Sequence, residues 1–183
     1  MKLIDLFEEA LPQNFDDIVE IIKRDCKPFL ESGAGGLLFR GMRNKPDVVK
    51  MSVRQDRKSK ALGAKKHASA DEWFNKKFGF KARSTAVFAT GDDYDAHIYG
   101  NLYAIFPIGD FKFVWSEVST DLVFFLTDLE TIHKKLENLK FKDTDMHGAI
   151  DSGNEIMIHC KEYYAIAVDE EQAKEYYKAL FER

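Results

Sequence analysis

The sequence predicts an α+β fold in a single domain over residues 1–183, with a helical part at 1–34 and a mixed core at 35–183. Three observations carry this expectation. Apolar residues from Phe15 to Leu30 recur at helical spacing. After Gly36 the apolar runs shorten to strand length, and helical stretches interrupt them without the regular alternation of an α/β chain. The 183 residues are 45% hydrophobic and 32% charged with only 4 prolines, a balance that supports a packed core and excludes a disordered chain.

Each element follows in order. "LIDLFEEAL" opens as a short amphipathic helix that Pro12 ends. Asn14 is placed to cap the next helix, with Asp17 three residues on. Phe15, Ile18, Val19, Ile22, Cys26, Phe29 and Leu30 form its apolar stripe. Pro28 tightens or breaks its last turn, Gly33 stops it, and "SGAGG" makes a flexible junction. "LLFRG" and "VVKMSVR" read as strands, and "RQDRKSKALGAKKHA" as a long basic loop without a clean period. In "SADEWFNKKFG", Ser69 and Glu72 have capping-box spacing. Trp73, Phe74 and Phe78 make the apolar side of that helix, and Gly79 is its stop. "STAVFAT" reads as a strand, with Ser84 and Thr85 opening it, and "GDDYDAHIYG" as a turn and a short helix. "LYAIFPIG" and "FKFVWS" are strands across a Gly-Asp turn. "DLVFFLTDLETIHKKLENL" is a helix, and "EIMIHC" and "EYYAIAV" are a closing strand pair. "DEEQAKEYYKALFE" is a terminal helix with acids at its start, as the helix dipole prefers.

Charge and composition narrow the function classes. No apolar run approaches the roughly 20 residues needed to cross a bilayer, so no membrane role is expected. The N-terminus carries acids where a signal peptide needs an apolar core, which predicts a cytoplasmic protein. Two cysteines, Cys26 and Cys160, make no disulfide framework, and the five histidines lack metal-ligand spacing. Net charge is −4, yet Arg40 to Lys66 holds ten basic residues against Asp47 and Asp56. Such a segment is either a solvated loop or the place where a phosphate-bearing ligand binds. "GAGG" lacks the spacing of a dinucleotide fingerprint, and there is no P-loop or G-x-S-x-G. "DDYDAH" lacks the glycine and distal glutamate of a calcium loop.

Three polar sites accompany strands: Arg40-Gly41 after "LLF", Ser84-Thr85 before "AVFAT", and Glu155 before "IMIHC". Singly, each has an ordinary surface explanation. In this order, they resemble the ADP-ribosyltransferases of the arginine–serine–glutamate class. The texture over residues 35 to 168 is most similar to small tailed-phage members: "FRGM", "WFNKKFG", "RSTAVFATGD", "YAIFPIGDFKFVWS" and "NEIMIHCKEYYAI". The resemblance implies a split β-sandwich around an NAD cleft, preceded by N-terminal helices. It further implies NAD as substrate, a macromolecular acceptor (protein or nucleic acid), and the host bacterial cytoplasm as compartment. Arg40 would grip phosphate or ribose oxygens through its guanidinium fork. Gly41 would let backbone approach the ligand and pair with the nicotinamide amide. Ser84 or Thr85 would hold Glu155, which would support positive charge on the ribose as nicotinamide leaves. Phe88 is a candidate to stack on nicotinamide and is otherwise core. Arg57, with Arg54, Lys58 and Arg83, is placed to reach the pyrophosphate or a nucleic-acid target.

Two positions depart from the family pattern. Gly153 stands where many members carry Glu or Gln two residues before the glutamate, and Ala86 replaces the second serine of the Ser-Thr-Ser element. The alternatives are therefore water as acceptor, making an NAD glycohydrolase, or an inactive module that grips nucleic acid or protein through its basic loop.

Overall fold

A computed structural model of the chain describes residues 11–43, 45–58, 62–120, 122 and 131–182. Helix α1 runs over Phe15–Asp25. Asn14 starts it by accepting the Asp17 N–H at 2.9 Å, the first-turn bond an N-cap residue supplies. Ile18, Val19 and Ile22 bury its inner side. Pro28 lies not in this helix but in the first turn of α2 (Lys27–Glu31), where a missing N–H breaks no helical bond.

The strands are β1 (Leu38–Met42), β2 (Val48–Ser52), β3 (Val87–Ala89), β4 (Asn101–Ile108), β5 (Lys112–Val114), β6 (Ile156–His159) and β7 (Glu162–Ala167). They form two antiparallel sheets, ordered β1-β4-β7-β2 and β3-β6-β5, and neither closes into a barrel. The remaining described helices are α3 (Ala64–Phe78), α4 (Asp93–His97), α5 (Ile132–Asn138), α6 (Met146–Asp151) and α7 (Glu170–Phe181). The chain is thus α+β. The sheets meet where Phe39 and Thr90 exchange both backbone hydrogen bonds, at 2.7 and 3.0 Å.

Period-2 alternation divides the second sheet between two cores. Val87, Ala89, Ile156 and Ile158 join the strands of the first sheet and the buried sides of α1, α2 and α7. Phe88, Met157 and Val114 join α3 and α5 around Phe74 and Leu136. Phe88 therefore belongs to a sheet held from both sides, and Glu155 stands directly before one of its strands.

Several local expectations give way to tertiary packing. The basic loop is shorter than its composition suggests, because α3 already begins at Ala64 after Gly63. Its buried stripe runs from His67 through Ala70, Asp71, Trp73 and Phe74, so Ser69 lies mid-helix and caps nothing. The Ser69 hydroxyl instead meets His133 Nε2 of α5 at 3.2 Å. Ser84 and Thr85 do not open a strand: both donate their N–H to the Lys81 carbonyl in a turn, and β3 begins at Val87. α6 appears in a stretch with no helical signal, capped by Asp145 at a positive φ of 64°. The expected helix at 3–11 lies outside the described residues except for Leu11, and of the expected helix at 121–139 the described part holds α5. Among those described, no helix is long and apolar enough to cross a membrane.

Candidate active site

Past the Phe39–Thr90 pair, β1 and β3 part. Peptide groups alternate sides along a strand, so Phe88, two residues before Thr90, turns its carbonyl toward β1 as well. Arg40 Nη1 donates to that carbonyl at 2.6 Å. A side chain thus spans the fork where backbone pairing between the sheets stops, reaching out from Arg40 in the middle of β1. Arg40 Nε is buried there with no partner.

Gly41 sits opposite Leu102, which gives its carbonyl to Val168 on the far side. By the same alternation the Gly41 peptide groups turn away from β4, toward the fork. The room left by its missing side chain is not ligand space, however. A Cβ at Gly41 would stand 2.1 Å from the Ala96 carbonyl oxygen and 2.9 Å from Tyr99 Cβ, so the glycine lets α4 lie against β1.

Phe88 is the hub of the site. The Arg57 guanidinium lies 3.5 Å from its ring centroid and the Arg83 guanidinium 4.6 Å, both in cation–π range. Arg83, only 3% exposed, donates from Nη1 to Glu155 Oε1 at 2.8 Å. Glu155 directly precedes β6 and donates its N–H to the Thr120 carbonyl. The turn before it is pinned by two bonds. Thr90 Oγ1 donates to the Gly153 carbonyl at 2.6 Å, and Asn154 Nδ2 donates to the Ser116 carbonyl at 2.9 Å. Burial, together with the neighbouring Arg83 and Arg40 charges, pulls the Arg57 pKa down to about 10, which leaves it cationic at neutral pH. The described side chains around Phe88 are thus rich in guanidinium, with Glu155 as a carboxylate among them.

Ser84 lies behind this cluster rather than in it. Asp71, buried in α3, accepts the Ser84 hydroxyl, the Ser84 N–H at 3.2 Å and the Arg83 N–H at 2.8 Å. The hydroxyl has one proton and gives it to Asp71, so His67 Nε2, 2.9 Å away, is the donor to Ser84. That tautomer leaves His67 Nδ1 bare, buried and unpartnered. Burial holds the His67 pKa below the usual range, although the Asp71 carboxylate and the Arg57 backbone pull the other way.

Of the residues singled out in the sequence, Arg40, Arg57, Phe88 and Glu155 come together. Ser84 is bound to Asp71 and His67, not to Glu155. Thr85 Oγ1 meets the Lys81 carbonyl and His159 Nδ1, both at 3.1 Å, and does not touch Glu155 either. The contact to Glu155 expected of this pair is made by Arg83. Phe88 has no bare face toward Arg57, whose guanidinium occupies the stacking position expected for nicotinamide. Sequence reading passed over Asp71 and His67, whose signal was an acid and a histidine four residues apart on the stripe of α3 that also carries Ala70 and Phe74.

Two open clefts lie elsewhere. One, of about 730 Å³, is lined by Asp47, Asp93, Tyr94, Asp169 and Glu170 among others. The second, of about 600 Å³, lies near Phe111 and Cys160. Neither is lined by Arg40, Arg57, Arg83 or Glu155. Comparison of the chain with protein-family models, with curated protein sequences and with solved structures gives no match.

Proposed function

We propose that the chain is a mono-ADP-ribosyltransferase that cleaves NAD between nicotinamide and ribose and transfers ADP-ribose to a protein or nucleic-acid acceptor. The observation that carries this reading is the gathering of Arg40, Arg57, Arg83 and Glu155 around Phe88 where the two sheets part. The α+β arrangement of two antiparallel sheets accords with the split β-sandwich that the sequence resemblance implies.

The residue set suits the substrate. A diphosphate is a dianion with planar oxygen edges, which guanidinium forks match with charge-assisted bonds. Arg40 Nε has no partner, so the cluster keeps unused donor capacity. When Arg57 leaves Phe88 for a phosphate, the ring face becomes available to nicotinamide. The glycosidic bond then breaks, and its electron pair departs with nicotinamide, discharging the pyridinium. The Glu155 carboxylate accepts a bond from the ribose 2′-hydroxyl and stabilises the positive charge left on the sugar. The acceptor nucleophile bonds to that carbon and gives its proton to solvent.

Gly153 favours a second reading, NAD hydrolysis, because it offers no side chain two residues before Glu155 to select an acceptor. One experiment separates the two. The full chain is incubated with adenylate-labelled NAD and bacterial extract, and both nicotinamide and macromolecular label are measured. Transfer predicts label on protein or nucleic acid in step with nicotinamide. Label found only as free ADP-ribose selects hydrolysis, and no nicotinamide release at all contradicts both.

A further inference from the structure

We propose that Arg83 is the positioning residue for Glu155, set in place by Asp71, and that the Ser84-Thr85 pair does not hold the glutamate. This rests on the reading of the site as one that cleaves NAD.

Three observations on different parts of Arg83 carry it. Its head is bonded to Glu155 Oε1 at 2.8 Å, with Met157 Sδ at 3.7 Å from the same Nη1. The guanidinium carbon of that head lies over Phe88, 4.6 Å from the ring centroid. Its backbone is fixed at the root, since Asp71 Oδ1 accepts the N–H of both Arg83 and Ser84. Asp71 is 4% exposed and Arg83 3%, so neither is a solvated side chain resting in one of many positions.

The arrangement has a direction. Asp71 shapes the turn after α3, the turn aims Arg83 inward, and Arg83 fixes one oxygen of Glu155. A charge-assisted bond from a rigid guanidinium stops the carboxylate from rotating away from the sugar. The gain belongs to the transition state, because the carboxylate need not reorganise when positive charge develops. Arg83 thus acts through Glu155. Ser84 shares the Asp71 carboxylate and stabilises the same turn from the other side.

The test measures nicotinamide release from NAD by the full chain, alongside thermal unfolding. For Arg83→Gln, kcat is expected to fall about 100-fold while KM for NAD moves less than about threefold, the signature of a loss confined to the transition state. Arg83→Lys restores a charged donor without the fork and recovers about tenfold of that loss. Should Arg83→Gln not fold, Arg83→Lys alone carries the kinetic test, with kcat about tenfold below wild type at an unchanged KM. In the unfolding series, Arg83→Gln and Glu155→Gln together are expected to lower Tm by less than the sum of the single variants, since each single change strands a partner. A raised KM with kcat intact, or additive Tm losses, overturns the assignment. A wild-type chain that releases no nicotinamide overturns the NAD reading instead, and the Tm series still decides whether Arg83 holds Glu155.

Discussion

Glu155→Gln is expected to slow nicotinamide release by about 100- to 1,000-fold, the scale on which removing a preorganised electrostatic partner acts. The substitution keeps the shape and one hydrogen-bonding oxygen, so Arg83 can still donate to it. What disappears is the negative charge opposite the sugar as the glycosidic bond breaks. NAD binding is expected to persist, because the phosphates are the business of Arg40 and Arg57. Stability changes too: Arg83 is almost fully buried and loses its anionic partner, which lowers Tm by a few degrees. Kinetics must therefore be measured well below the new Tm. Turnover equal to wild type would remove Glu155 from the chemistry.

Gly41→Ala is the largest structural perturbation expected of a single methyl group near the site. Its Cβ would stand 2.1 Å from the Ala96 carbonyl oxygen and 3.0 Å from the Gly100 nitrogen, both backbone atoms that cannot rotate aside. β1 is held on its other edge by five paired positions with β4, so α4 must move instead. Overpacking of this kind costs about 1–3 kcal/mol, and more where backbone blocks relaxation. At about 2–4 °C per kcal/mol for a chain of this size, Tm is expected to fall by roughly 5–10 °C. Arg40 is the adjacent residue, and its 2.6 Å bond to the Phe88 carbonyl tolerates little displacement. NAD affinity should therefore weaken with stability. An unchanged Tm by calorimetry would mean that α4 is not seated against β1.

The strands were legible because each is a short apolar run bounded by glycine or charge, as in "GGLLFRGM" and "YAIFPIGD". The start of α3 was not. The Ser69–Glu72 spacing satisfies a local capping rule, but burial of Leu62, His67 and Ala70 extends the helix backward past it. α6 escaped notice because its six residues carry no helical period, and its Asp145 cap has a backbone conformation that spacing cannot reveal. In the site, Arg40 and Glu155 were legible as charges beside short apolar runs. Their common link to Phe88, Arg40 through its carbonyl and Glu155 through Arg83, depends on which strands share a sheet, which no local pattern encodes. The exchange of roles between Ser84 and Arg83 was hidden for a related reason. At a turn, neighbouring side chains diverge, and the choice was made by Asp71 on a helix 12 residues away from Arg83.

The most direct test of the central claim is where NAD binds. A crystal of Glu155→Gln grown with NAD should place the diphosphate against Arg40 and Arg57, with the nicotinamide ring on the face of Phe88 over which Arg57 lies in this structure. NAD bound instead in the cleft beside Asp93, Tyr94 and Asp169, with Arg57 still on Phe88, would contradict it.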